Sequence, residues 1–179
     1  VPDSSDWDCS SGAYTIEAWV NFDDLDAIRT IVGHGGTGSS SDKDGWILRY
    51  DSAESNISFA PKLDANELET GPNLILPHKW YHIAVDRNGA ATTIYIDGVN
   101  KASGNVTVVD AAAGTSLRIG TDSDHGRTIK GYIDELRISN VRRYTADFTP
   151  PTEAFTTDAN TKLLLHMDGT MGDPNFLDS

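Results

Sequence analysis

Acidic side chains in close pairs are the first chemistry this chain offers. Asp122 and Asp124 stand two residues apart in Gly120-Thr-Asp-Ser-Asp-His-Gly126, and Asp42 and Asp44 repeat the spacing in Ser41-Asp-Lys-Asp-Gly45. Carboxylates so placed between glycines can converge on one hard cation, and calcium accepts such oxygens at relaxed geometry. The same residues also suit two solvated loops in which the aspartates only shape turns. Sugar contact is the second chemistry. Trp46, Arg49 and Tyr50 share one short segment beside the Asp42/Asp44 loop, and Tyr95 and Arg118 lie in strand-like runs. Aromatic faces stack on sugar C–H groups, and guanidinium forks donate to hydroxyls. The alternative is an ordinary outer sheet face where Tyr and Arg cover cross-strand neighbours.

Catalysis finds less support. Most glycosidases hold two carboxylates on either side of the scissile bond. Here Glu17 stands alone on its strand, and Asp134 and Glu135 are adjacent, so strand alternation sends them to opposite faces. His82 reads as a strand residue bonded to backbone or water. Cys9 is the single cysteine and reads as a small buried apolar residue. No Gly-x-Ser-x-Gly elbow is present. The expectation is a protein that is not an enzyme.

The elements that must position these residues are strands. Tyr14 to Phe22 alternates, with Ile16, Ala18 and Val20 on one side and Thr15, Glu17, Trp19 and Asn21 on the other. Shorter runs follow at 29–33, 45–50, 56–59, 79–86, 92–96, 106–109, 116–119, 132–139 and 161–167. Asn88-Gly89 marks a tight hairpin and Asp97-Gly98 a second turn. Because Ile94, Ile96, Leu117 and Ile119 look core-facing, Tyr95 and Arg118 should point away from the core. Trp19 and Trp80 are assigned to packing or sheet-face support. The Pro150-Pro151 tail must cross the outside of the molecule before the last strand returns. No long 3.6-residue periodicity appears, so the prediction is an all-β, two-sheet antiparallel sandwich.

Bulk properties narrow the partners. The 179 residues suit one domain, 1–179, with a single core. The chain opens at Val1 without methionine, and the expectation is a domain taken from a longer polypeptide, or one that lacks its first strand. Fourteen Lys and Arg against 27 Asp and Glu leave a net charge of −13, which repels phosphate backbones and argues against nucleic acid. No apolar run approaches the ~20 residues of a membrane span.

Three phrases carry a family resemblance: Trp80-Tyr-His-Ile-Ala-Val-Asp86, Ile94-Tyr-Ile-Asp-Gly98 and Gly131-Tyr-Ile-Asp-Glu-Leu-Arg-Ile-Ser139. In this order they resemble the laminin G-like, pentraxin-like branch of the concanavalin A-like lectin and glucanase superfamily. The segments 139–151 and 163–169 are similar to modules of phage and bacterial surface proteins. The resemblance implies a concanavalin A-like jelly roll. It also implies a structural calcium at Asp134, completed by backbone carbonyls near residues 1–6, and it sets Asp122 and Asp124 where pentraxins carry acidic calcium ligands. The Glu-x-Asp-x-x-Glu strand of the glucanase members is absent. The implied function is a non-catalytic, lectin-like module on the extracellular or virion surface, as in a phage tail adhesin or bacterial extracellular protein. Its partner would be a cell-surface glycan, with neighbouring domains or copies in a larger assembly. A virion decoration domain and a polysaccharide-degrading enzyme with an unrecognised site are the alternatives.

Overall fold

The computed structural model describes residues 1–35, 44–61, 67–122 and 125–168. Two antiparallel sheets face one another. The six-stranded sheet has the order β11-β10-β1-β6-β7-β8 and the five-stranded sheet β5-β4-β3-β2-β9. In the first, β1 (Ala13–Phe22) is flanked by β10 (Gly131–Ser139) and β6 (Trp80–Asn88), with β7 (Ala91–Ile96), β8 (Val99–Asn105) and β11 (Thr161–Leu165) outside them. The second contains β2 (Arg29–Gly35), β3 (Gly45–Asp51), β4 (Asn56–Ala60), β5 (Leu68–Glu69) and β9 (Leu117–Ile119). This is the two-sheet antiparallel sandwich expected from strand periodicity, and the jelly roll that the family resemblance implies.

The core lies between the sheets. Ile16, Ala18 and Val20 of β1 are fully buried there, packed with Ile83 and Val85 of β6 and with Leu48, Ile57 and Phe59 of the facing sheet. Cys9 joins this cluster as a buried thiol, and burial pushes its pKa far up, so it behaves as a small hydrophobe. Both hairpins form. Asn88 pairs with Ala91, so Gly89 and Ala90 make the first turn, one residue further on than expected. The second turn centres on Asp97 and Gly98, both at positive φ.

One strand differs from expectation. The segment after Asp97-Gly98 forms β8 over Val99–Asn105, while 106–109 contributes only a bridge between Val109 and Gly45. β8 is an edge strand with nearly every residue exposed, so it buries no alternating apolar set that would mark it in sequence.

The tail crosses the sandwich as expected. Residues 140–160 run over the outer face of the six-stranded sheet between β10 and β11. The crossing is close at Gly98, where a Cβ would collide with the Phe148 carbonyl, and Phe148 donates its amide to the Gly98 carbonyl at 2.9 Å.

Candidate functional site

The outer face of the six-stranded sheet is divided into a covered half and an open half. Thr15, Glu17, Trp19 and Asn21 all project from β1 onto this face, because their neighbours Ile16, Ala18 and Val20 fill the core. Register then places His82 and Asp134 on either side of Trp19, and Trp80 and Tyr132 on either side of Asn21.

Beneath the crossing segment the face is polar and sealed. Glu17 is fully buried. Its carboxylate meets His82 Nε2 at 3.1 Å, accepts from Arg137 Nη2 at 2.7 Å and accepts from the Tyr144 hydroxyl at 2.6 Å. Burial alone would raise the Glu17 pKa. The bonds from His82, Arg137 and Tyr144 outweigh it and hold the carboxyl below its ordinary value. Asp86, also fully buried, accepts from Thr15 Oγ1, from the Tyr144 amide and from Arg142 Nε. Tyr144 and Phe148 stack at 3.5 Å between centroids, and Tyr95 meets both edge-on.

Beyond the crossing segment the face opens. Trp80 is 41% exposed and Tyr132 is 53% exposed, with ring centroids 6.4 Å apart and planes tilted at 44°. Asn21 sits between them in register, and its Oδ1 is buried without a hydrogen-bond partner. Next to the rings lies a groove of about 420 Å³, walled by Trp19, Trp80, Asp134 and Glu135 on the sheet and by 151–154 of the crossing segment. Gly131 lets β10 approach here, since a Cβ would strike the Asn21 carbonyl.

Asp134 and Glu135 share this groove, which corrects the expectation that they face opposite ways. Glu135 has φ +50, and two residues of β10 oppose Ala18 between the pairs Glu17–Arg137 and Trp19–Asp134. That β-bulge breaks the alternation. Glu135 is the engaged member: it accepts from the Phe155 amide at 2.6 Å and meets His166 Nδ1 at 2.7 Å. Asp134 accepts from the Glu135 amide at 2.8 Å. Partial burial raises its pKa, and the charges of Glu135 and Asp168 push the same way.

The residues singled out for sugar contact do not form one surface. Trp46 and Tyr50 point into the core, where Trp46 Nε1 donates to the Trp7 carbonyl at 2.8 Å and Tyr50 packs on Phe22. Arg49, between them, faces the other way by alternation and is 4% exposed. It donates to Ser58 Oγ and pairs with Asp51 and Glu67, leaving Nη1 without a partner. Tyr95 does leave the inter-sheet core, but the crossing segment covers it to 2% exposure. Arg118 is half-buried on β9, opposite Gly33. The exposed aromatics of the open face are Trp80 and Tyr132. Trp19 packs as expected, edge-on to His82, whereas Trp80 supports the sheet face from a more exposed position at the start of β6.

Among the described residues the acids do not assemble a cation shell. Asp122 is buried and spends Oδ1 on the amides of Gly126 and Arg127, as a turn-forming aspartate does. Asp44 is exposed, and Asp42 and Asp124 lie outside the described residues. The N-terminal segment binds elsewhere: the Val1 ammonium donates to the Leu117 carbonyl, Asp3 accepts from the Gly114 amide, and the Asp6 carbonyl takes the Tyr14 hydroxyl. Tyr14 is five residues, roughly 16 Å, from Trp19 along β1, so that segment lies away from Asp134. Among the described residues no group of three or more His, Cys, Asp or Glu converges as a metal shell.

Comparison with known proteins places this geometry. A family model for the concanavalin A-like lectin/glucanases superfamily matches residues 1–147. No curated protein matches the sequence. Among solved structures, a candidate carbohydrate binding protein from Bacteroides ovatus superposes with TM-score 0.67 at 21% identity, over 89% of this chain and 46% of that one. The chain thus spans about half the length of that relative. The CBM40 of the Ruminococcus gnavus IT-sialidase gives TM-score 0.61 at 11% identity, over 77% and 86% of the two chains. Domains LG4-5 of the mouse laminin α1 chain give 0.55 at 14%, over 79% and 42%. At these identities the likeness shows a shared laminin G-like fold.

Proposed function

The chain belongs to the concanavalin A-like lectin/glucanases superfamily, and we propose that it is a non-catalytic carbohydrate-binding module. One observation carries this reading: two exposed rings, Trp80 and Tyr132, flank Asn21 on a flat sheet face beside a groove lined with carboxylates. Apolar ring faces suit the C–H face of a pyranose, and the carboxylate oxygens of the groove accept from its hydroxyls. The carbohydrate-binding relatives from Bacteroides ovatus and Ruminococcus gnavus support it by fold. In a surface-exposed parent, such as a phage tail or virion adhesin or a bacterial extracellular protein, weak sites would gain avidity from repeated copies. Calcium enters as an expectation of the family resemblance. The described donors do not fit a shell, so glycan contact is not routed through it.

The test is a glycan array probed with the protein and with Trp80→Ala, with and without calcium. Binding that is lost in the folded variant supports the reading, and a blank across diverse polysaccharides favours a decoration domain that contacts only protein. The bulge that brings Asp134 and Glu135 into one groove favours a second reading, a polysaccharide-cleaving enzyme. Against it, the Glu135 carboxylate is already held by His166 and the Phe155 amide. Reducing ends released from a polysaccharide library, and lost in Asp134→Asn, would establish the enzyme instead.

A further inference from the structure

Building on the glycan-binding reading, we infer that the open face selects non-acidic sugars and rejects sialylated and uronic acid glycans. The groove presents carboxylates from two elements: Asp134 and Glu135 from β10 and Glu153 from the crossing segment. Neither lysine nor arginine is among the residues that wall it. Basic side chains near the rings have partners of their own: Lys130 pairs with Asp24 at 2.9 Å and His78 faces Asp23 at 3.8 Å. Arg137 is bound to Glu17 and stacked over the Phe155 ring at 4.1 Å, and Lys79 lies over the Tyr81 ring, whose residue faces the core. His166 meets Glu135 at 2.7 Å. The lining is thus rich in acceptors. Such a surface calls for a ligand that donates, and the hydroxyls of an uncharged pyranose do so. A sugar carboxylate would bring a further anion against Asp134, whose own ionisation is already resisted by burial and by Glu135. The chain's net charge of −13 adds long-range repulsion of the same sign. A shared fold does not fix the ligand, so the selection rests on the charge of the groove and not on the architecture.

Two matched pairs test this, each differing in one charge per unit: N-acetyllactosamine against its sialylated form, and methyl-esterified against free-acid oligogalacturonide. Binding of each to the whole protein is measured by calorimetry at low and at high salt. The expected result is a preference of about ten-fold or more for the uncharged member of any pair that binds, shrinking as salt screens the groove. Asp134→Asn with Glu153→Gln should narrow the gap several-fold, whereas Trp80→Ala should weaken both members together. An acidic member bound as tightly as its neutral twin overturns the inference while leaving glycan binding intact. So does a gap unchanged in the double variant. No binding to either pair and to a wider array, by protein that remains folded, removes the glycan reading itself.

Discussion

The two halves of one sheet face use the same residue types to opposite ends. Under the crossing segment, Glu17 and Asp86 are fully buried, and each carboxylate has several donors. On the open half, Asp134 caps a single backbone amide and lies beside two rings that remain largely in solvent. Cover makes the difference. A carboxylate that must lose its water is retained only where the protein supplies replacement bonds, and those bonds then tie the cover down. An acid and aromatic rings left uncovered beside a groove are free to meet something else. The covered half should therefore answer to measurements of stability and the open half to measurements of binding.

The largest expected effect is at Glu17. Glu17→Ala strands Arg137, His82 and Tyr144 in a buried site and should cost about 3–5 kcal/mol in denaturant unfolding. A loss under ~1 kcal/mol would show that the covered cluster does not anchor the crossing segment. Next comes Trp80→Ala, expected to weaken glycan binding by about ten-fold or more while leaving stability within ~1 kcal/mol. A binding constant unchanged in that variant would remove Trp80 from the site. Tyr144→Phe breaks one bond to Glu17 and should cost about 1–2 kcal/mol with binding unaffected.

The smallest effects lie in pH dependence, where the halves should carry opposite signs. Glu17 titrates below its ordinary 4.5, so its stabilisation is complete above that pH and is lost as pH falls through the depressed folded value. Asp134 titrates above its ordinary 3.8, so its ionised form costs stability at neutral pH and the cost fades as pH falls through the raised value. Acid titration of Glu17→Gln should show a shallower loss of stability than the parent. Asp134→Asn should show a small gain near pH 7 that vanishes in acid. Parallel curves for the two variants would erase the distinction between the halves.

Much of the scaffold was legible in the sequence because it rests on local rules. Alternation in β1 separated Ile16, Ala18 and Val20 from Thr15, Glu17, Trp19 and Asn21, and the structure keeps that division. Both turns and the crossing tail were readable for the same reason. The site was less legible because it depends on residues far apart in the chain. Tyr144 reaches Glu17 from 127 positions away, so nothing near Glu17 announces that it is covered. The bulge at Glu135 rests on a left-handed backbone at a non-glycine residue, for which the local sequence carries no signal. Trp46, Arg49 and Tyr50 are neighbours in sequence, yet alternation sends Arg49 out and the two rings in. Conversely, Trp80 and Tyr132 come together only because both register on Asn21.

Four tryptophans make the most direct measurement available: indole N–H resonances followed during titration with an uncharged oligosaccharide selected on the array. Trp7 and Trp46 are buried with their Nε1 groups bonded to the carbonyls of Pro2 and Trp7, whereas Trp19 and Trp80 wall the groove. If the sugar sits on the open face, the Trp80 and Trp19 signals shift in step with binding while those of Trp7 and Trp46 stay still. Saturable binding that leaves Trp80 and Trp19 unmoved would contradict that placement and put the sugar on another face of the sandwich.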